Sequence, residues 1–372
     1  MNNLLFEIKN LVNFFILRKN KKKIVFYSES LFYKNYYIDL FFEIKKNNPN
    51  VLILTSDINE YYFLKKENIE AYFIGNGIIK LIIFNFIKCN FFIMTMTDIG
   101  NNLKRSKSCK NYVYFFHALA STHVIYTPKA FNNYDIIFTN GDYQHKEIRK
   151  NEEIFELKKK ILIDSGYFYL DYLKRNANLN LLKTKQILFA PTWNYNQKNL
   201  FNDRGYAIIK NLIDSNFKVH LRLHPEIIKR DKNKFNEIIN LFGKSNLFSL
   251  DQNPSNLESM EQASLLITDN SSIGMEFALV FKRPVLYIDY SKKIHNKNHD
   301  KFNLTPLEDS FKELIGFTIN SSQVDRLSKI CNDIIKKTDK LKDKISNFEK
   351  INLQNIGHSA KKAASYILEH NS

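Results

Sequence analysis

Short, continuous apolar runs alternate with longer amphipathic stretches along this chain, and the series starts twice. Such runs are expected for strands buried on both faces of a parallel sheet, since a half-exposed strand would alternate polar and apolar residues instead. The first series predicts strands at Lys23–Tyr27, Val51–Thr55, Ala71–Ile74, Phe91–Met94, Tyr112–Phe116, Asp135–Phe138 and Ile161–Ile163. Helix-length segments such as Tyr36–Lys46, Glu60–Lys66 and Gly77–Lys88 lie between them. After a polar stretch at Arg175–Lys185 the pattern resumes, with strands at Ile187–Ala190, Val219–Leu223, Leu247–Leu250, Leu265–Thr268 and Val285–Tyr287. Helices fit at Gly205–Asp214, Lys232–Leu241, Pro254–Gln262 and Ile273–Val280, a helical stretch begins at Ser322, and a last helix covers Ser359–Glu369. Strand–helix alternation of this kind specifies a doubly wound α/β topology. At 372 residues the chain is longer than one core usually spans. The expected organisation is therefore an N-terminal helix over 1–22, a Rossmann-like domain over 23–180 and a second one over 181–372 carrying the terminal helices. Two such domains would place the carboxyl edges of both sheets around one cleft, where α/β sheets bind ligands.

Composition fits a globular protein: 44% of residues are apolar, with only ten glycines and seven prolines. The net charge of +17 favours a negatively charged partner, whether a phosphorylated substrate or an anionic membrane surface. No arginine-rich arm or RNP-like aromatic motif accompanies it, which argues against nucleic acid. Cys89, Cys109 and Cys331 form neither a CxxC pair nor a disulfide framework, as expected in a reducing compartment. The N-terminus carries Leu4, Leu5, Phe6, Ile8, Leu11, Val12 and Phe14 to Leu17, then Arg18, Lys19 and Lys21 to Lys23. Glu7, Lys9, Asn10 and Asn13 interrupt it, so it is too short and polar to span a bilayer. A secretory signal would carry its positive charge before the apolar part. Two readings stand: an amphipathic helix on an anionic membrane, or a helix packed on the first domain.

Three segments carry chemistry. Thr268-Asp269-Asn270-Ser271-Ser272, with Gly274 and Glu276 following, lies where an apolar strand gives way to a helix. Free backbone N–H groups and the helix dipole favour an anion there, and serine hydroxyls add donors to phosphate oxygens. Glu276, one turn into the helix, is placed to accept bonds from sugar or polyol hydroxyls. Asp269 or Ser271 would alternatively cap the helix, but capping needs one such residue and this run supplies several. Leu221-Arg222-Leu223-His224-Pro225 ends a strand, and a period of two would direct Arg222 and His224 to one side, suiting a diphosphate or departing nucleotide. The third segment is Phe115-Phe116-His117-Ala118-Leu119-Ala120-Ser121-Thr122-His123. His117, at a strand end, is the first candidate for a general base, with His123 its competitor.

Other signatures are missing. Gly75-Asn76-Gly77 lacks the third glycine of a dinucleotide fingerprint. The sequence contains no DxD triplet, no His/Cys/acid cluster with metal-ligand spacing, no G-x-S-x-G elbow and no Walker A loop. The expectation is an enzyme without an obligatory metal or cofactor.

Taken in order, these segments resemble the CDP-glycerol glycerophosphotransferase family, the polymerases and primases of teichoic-acid-type polymers. The matching stretches are Phe116-His117, Tyr134-Asp135-Ile136-Ile137, Gly166 with Asp171, Leu188-Phe189-Ala190-Pro191-Thr192-Trp193, Arg222-Leu223-His224-Pro225, Thr268 through Ser272, Arg283-Pro284-Val285-Leu286-Tyr287, and Gly357-His358-Ser359. They run from about residue 110 to the end of the chain. The resemblance implies a GT-B fold, with the acceptor handled by the N-terminal domain and the donor nucleotide by the C-terminal one. It implies His117 as catalytic base, with His224 the second catalytic candidate. Arg222, Ser271, Ser272 and again His224 would handle the donor phosphates. Asp269, Glu276, Ser121 and His123 complete the expected substrate-binding set. The implied reaction is attack by an acceptor hydroxyl on the phosphorus nearest the glycerol, releasing CMP.

Two departures stand out. The family's His-Gly followed by Thr-Pro-Leu reads His117-Ala118-Leu119-Ala120-Ser121-Thr122-His123 here, and its Gly-x-Pro becomes Gly166-Tyr167-Phe168. Both lie in the half that the resemblance gives to the acceptor, so donor handling is implied more directly than acceptor identity. The expected partners are a CDP-activated polyol or another nucleotide-activated donor, and a glycan or lipid-linked acceptor. The expected location is cytoplasmic, on the inner face of the cell membrane if the N-terminal helix binds it. A nucleotide-sugar glycosyltransferase or epimerase of the same fold, and a non-catalytic membrane-associated assembly protein, are the alternative readings.

Overall fold

A computed structural model describes residues 3–16, 24–97, 99–100, 103–180, 185–193, 199–253, 255–290 and 294–371. The chain divides into two compact units. One comprises Met1–Ala118, Tyr126–Tyr172 and Leu353–Ser372; the other comprises Leu119–Ile125 and Leu173–Asn352.

The first unit is built on seven strands: β1 (Ile24–Ser28), β2 (Val51–Thr55), β3 (Ala71–Phe73), β4 (Cys89–Met94), β5 (Cys109–Phe115), β6 (Ile136–Thr139) and β7 (Ile161–Asp164). They form one sheet in the order β3-β2-β1-β4-β5-β6-β7, every pairing parallel. β1 and β2 are buried along their whole length, as their unbroken apolar runs require. The second unit repeats the plan with β8 (Gln186–Phe189), β9 (Lys218–Leu221), β10 (Phe248–Leu250), β11 (Leu265–Thr268), β12 (Val285–Asp289) and β13 (Phe317–Asn320). Its order is β10-β9-β8-β11-β12-β13, again all parallel. Both sheets therefore have the strand order of a dinucleotide-binding fold, with a switch point between β1 and β4 in one and between β8 and β11 in the other.

Each strand read from the sequence is present, with ends shifted by a few residues. β13 escaped that reading because it is an edge strand with one buried residue, Ile319, so it carries no continuous apolar run. The helix Asp142–Ile154 was equally hidden, since Gln144, Glu147 and Glu152 sit on its buried face. β9 ends at Leu221, one residue before Arg222; Pro225 occupies the first turn of the helix Pro225–Arg230, where its missing N–H costs nothing.

The last helix, Ser359–Glu369, packs on Lys34–Asn47 in the first unit, although the sequence reading grouped it with the second domain. Asp171 makes the attachment: its carboxylate accepts the Gly357 N–H at 2.6 Å and the Ser359 N–H at 2.9 Å. Gly166 has φ +94°, and a Cβ there would meet the Gln354 carbonyl oxygen at 2.4 Å, so glycine is required for this close approach. Two motif fragments almost two hundred residues apart thus form one joint.

The N-terminal helix Asn3–Ile16 has two working faces. Phe14 is buried against Tyr72, Phe6 packs on Phe73, and Asn10 Oδ1 accepts the Phe73 N–H at 3.2 Å. On the other face Leu4 is 56% and Leu5 65% exposed. One face of this helix therefore packs on the first unit, and the other leaves an apolar stripe. The basic cluster from Arg18 to Lys23 lies outside the described residues.

Candidate functional site

His117 follows β5 at the carboxyl edge of the first sheet, half-buried. Its Nδ1 lies 2.6 Å from the hydroxyl of Thr95, the buried residue just past β4. With Nδ1–H donating to Thr95 Oγ1, the neutral ring carries its lone pair on Nε2, the form a general base needs. Tyr33 and Tyr36 present ring edges to the imidazole at 5.3 Å and 6.4 Å, and Tyr36 stacks on Tyr169 at 4.0 Å. Burial, with Glu29 and Tyr126 adding to it, pushes the Tyr33 phenol up to about 12, so it keeps its proton at neutral pH and offers a donor.

In the second unit the switch point is held by reciprocal bonds between the loop after β8 and the loop after β11. Asp269 Oδ1 accepts the Thr192 N–H at 2.7 Å, the Asn270 N–H donates to Thr192 Oγ1 at 3.3 Å, and Thr268 Oγ1 donates to the Ala190 carbonyl at 2.7 Å. Burial raises the Asp269 carboxyl above its ordinary range, opposed by the bonds from Thr192 and the backbone. Asp269 is 3% exposed, and its carboxylate orders the loop through these backbone bonds. Ser271 Oγ is 3.5 Å from the Ile273 N–H, and Ser272 makes no side-chain cap to the helix Ile273–Phe281. Ser271 thus makes one long contact at the helix start and Ser272 none as a cap, and both residues are half-buried. Glu276 is buried inside the unit, within that helix.

β9 ends at Leu221, so Arg222 and His224 follow the strand rather than lying within it. Arg222 Nη1 is held by Asp251 Oδ2 at 2.5 Å and by the Asn253 carbonyl at 3.0 Å, pinning the loop after β10. His224 caps the helix Pro225–Arg230: its Nδ1 accepts the Glu226 N–H at 3.2 Å, which leaves Nε2 as the protonated nitrogen of the neutral ring. The exposed imidazole stacks on Trp193 at 5.7 Å and 18°.

Ser121 and His123 count with the second unit, His117 with the first. Ser121 is fully buried; its Oγ accepts the Leu307 N–H at 2.6 Å and its own N–H donates to Glu308 Oε1 at 2.8 Å. Ser121 placed in this way tethers its loop. His123 is buried against Phe302 and lines a cavity inside the second unit. Among the described residues no group of three or more His, Cys, Asp or Glu is arranged to hold a metal ion, and no helix is long and apolar enough to cross a membrane.

A model of the CDP-glycerol:poly(glycerophosphate) glycerophosphotransferase family matches residues 100–368. The chain belongs to this family. It is thus a glycerophosphotransferase-type transferase, and the His117, Thr268–Ser272 and His224 segments all fall inside the matched region. No curated protein matches the sequence significantly. Among solved structures, the chain is similar to the wall teichoic acid polymerase TagF, at 17% identity over 100% of this chain and 98% of that one, with a TM-score of 0.62. It is also similar to a putative UDP-N-acetylglucosamine 2-epimerase from Listeria monocytogenes, at 12% identity over 94% and 96% of the two chains and a TM-score of 0.62. A third, the UDP-GlcNAc 2-epimerase of Methanocaldococcus jannaschii, gives 13% identity over 93% and 99%, with a TM-score of 0.57. At these identities the likenesses establish the GT-B-type fold alone.

Sequence reasoning missed several side chains that contact the candidate residues of this glycerophosphotransferase. Thr95 had one legible signal, a polar residue directly after an apolar strand, but its pairing with His117 needs β4 and β5 side by side. Asp251, the partner of Arg222, carries no local signature, and Trp193, part of the matching stretch Leu188–Trp193, gives no sign in the sequence that it stacks on His224.

Proposed function

We propose that this glycerophosphotransferase moves glycerol phosphate from CDP-glycerol to a hydroxyl of an envelope glycan or lipid-linked acceptor, with His117 as general base. The observation that carries the reading is the His117–Thr95 pair at the carboxyl edge of the first sheet, inside a chain whose family membership fixes the reaction class. The acceptor oxygen attacks the phosphorus bonded to glycerol while its proton passes to His117 Nε2. The bridging P–O bond breaks, and CMP leaves with the electron pair. Ser271 and Ser272 donate to the donor phosphates, and His224 donates through Nε2–H to the oxygen that accumulates charge. Arg222 adds positive charge while holding the loop after β10. Asp269 acts through the loop it orders. The base contributes about 10²–10⁴-fold and charge neutralisation the larger share.

The same reading places the enzyme at an anionic membrane surface. The outer stripe of Leu4, Leu5, Ile8 and Val12 supports it, as do the exposed Ile78, Leu81 and Phe86 on the neighbouring helix Ile78–Phe86. The basic run Arg18–Lys23 adds the second signal such binding needs.

Thermal stabilisation by CMP, CDP-glycerol, CDP-ribitol, UMP and CMP-sialic acid tests the donor, because a ligand selective for the folded state raises Tm with its occupancy. The largest shift is expected with CDP-glycerol; a response to uridine nucleotides only would overturn the assignment. His117→Ala should lower transfer at least about 100-fold with donor binding retained. Ser271→Ala combined with Ser272→Ala should weaken donor binding at least about 100-fold, the loss of two charge-assisted bonds at about 1.5 kcal/mol or more each.

A further inference from the structure

Four side chains in the second unit close a ring of contacts around His224. Its Nδ1 accepts the Glu226 N–H at 3.2 Å. Glu226 Oε2 accepts from Arg230 Nε at 2.8 Å, one helical turn further on, and this bond holds the Glu226 carboxyl below its ordinary range. The pair is therefore ionic at neutral pH. The Arg230 guanidinium lies over the Trp193 ring, 5.4 Å from its centroid, within cation–π reach. The indole lies 5.7 Å from the imidazole at an interplanar angle of 18°, which brings the circuit back to His224.

Trp193 is also joined to the other half of the proposed phosphate site. It follows Thr192, whose N–H donates to Asp269 Oδ1 at 2.7 Å and whose Oγ1 accepts the Asn270 N–H at 3.3 Å. The loop after β8 is thus tied to the turn carrying Ser271 and Ser272, while β8 lies between β9 and β11 in the sheet. The indole is 9% exposed, whereas the imidazole it faces is exposed. That difference sets which ring orients the other: a buried ring is fixed by its surroundings, and an exposed one has several rotamers open to it.

One hydrogen bond to Nδ1 selects the tautomer with its proton on Nε2 but does not fix the plane of the ring. A near-parallel indole face does. We infer that Trp193 is a positioning residue for His224, held to that task by Arg230 and Glu226, so that Nε2–H keeps one place relative to the Ser271–Ser272 turn. The inference rests on the reading of His224 as the hydrogen-bond donor to the oxygen that accumulates charge, and it deepens that reading: such a group lowers the barrier most when it stands in place before the charge develops. A contact that orients it acts in the transition state, so its loss lowers kcat and leaves KM for CDP-glycerol unchanged.

CMP release from CDP-glycerol by the full chain tests it. Trp193→Leu should lower kcat about 2- to 12-fold, the value of one aromatic pair, with KM for CDP-glycerol within about twofold of wild type. Trp193→Phe, which keeps an aromatic face, should recover most of the loss. In a His224→Ala background, itself slowed at least about 100-fold, Trp193→Leu should cost nothing further, since residues acting as one unit are non-additive. Where a lowered unfolding midpoint shows that Trp193→Leu disturbs folding, Arg230→Met decides: it removes the exposed guanidinium and should lower kcat about 2- to 5-fold, again only when His224 is present. Equal losses with and without His224, a raised KM at unchanged kcat, or variants as fast as wild type would each overturn the positioning role and leave His224 its own. A His224→Ala enzyme as fast as wild type would overturn the reading of His224 and the inference with it.

Discussion

Replacing Thr95 by valine removes one hydroxyl and leaves the side chain's size nearly unchanged; it deletes the contact with His117 Nδ1 at 2.6 Å together with a bond to the Tyr114 phenol, and the His117→Ala background separates the two. With Nδ1–H as the donor, that bond holds the ring in the tautomer with its lone pair on Nε2 and fixes its plane. A neutral side-chain bond of this kind contributes about 0.5–1.5 kcal/mol net. At about 1.4 kcal/mol per tenfold in rate, kcat should fall about 2- to 12-fold. This is far less than the loss in His117→Ala, because the base remains and only its orientation is loosened. The assay is CMP release from CDP-glycerol under saturating donor, with Thr95→Ser as the control that restores the hydroxyl. The reasoning predicts that KM for donor stays constant, Thr95→Ser stays within about twofold of wild type, and Thr95→Val costs nothing further in a His117→Ala background, since coupled residues are non-additive. Equal losses from Thr95→Val in both backgrounds would show that Thr95 acts on something other than the imidazole and would refute the positioning role.

Three other consequences are open to measurement. Glu60, fully buried, accepts hydrogen bonds from Ser28 and Tyr37 at 2.8 Å and 2.9 Å and from Thr55 at 2.5 Å, and burial raises its carboxyl above the ordinary range. A raised carboxyl means the folded state binds the extra proton, so its contribution to stability is full below the unfolded value and fades as pH rises through the folded one. Urea unfolding should therefore show a larger advantage of wild type over Glu60→Gln near about pH 4.5 than near about pH 7.5; the opposite trend would refute the assignment. Asp171→Ala removes two charge-assisted bonds to the Gly357 and Ser359 N–H groups and should cost about 2–4 kcal/mol in urea unfolding, with Asp171→Asn costing less; a loss below about 0.5 kcal/mol would show that the terminal helix is attached without it. Leu4→Ser with Leu5→Ser should lower binding to anionic vesicles at least about tenfold, since each leucine adds up to about 1.5–3 kcal/mol on full burial, and should leave the unfolding midpoint unchanged; unaltered sedimentation with vesicles would remove this stripe from the membrane contact.

The alternation of apolar runs determined the strands, their parallel pairing and the presence of two α/β units, because burial on both faces writes a continuous signal into each strand. Motif order likewise made the family legible, and His117, His224 and the Ser271–Ser272 pair stand at strand ends where the chain's own rhythm places them. What the sequence left open was every relation between segments far apart in it. Cys89 and Cys109 are remote in the sequence, yet they sit opposite one another on β4 and β5 as free thiols with their sulfurs 3.3 Å apart. Ser121 and His123, read from the sequence as a continuation of the His117 segment, belong with the second unit, one as a buried tether and the other as part of a cavity wall. Arg222 and His224 each have a partner from a distant loop, Asp251 and Trp193, that the sequence does not show. Local propensity sets which residues become strand, helix or cap, but a side chain's partner depends on which strands lie next to each other. That is fixed only when the sheets assemble.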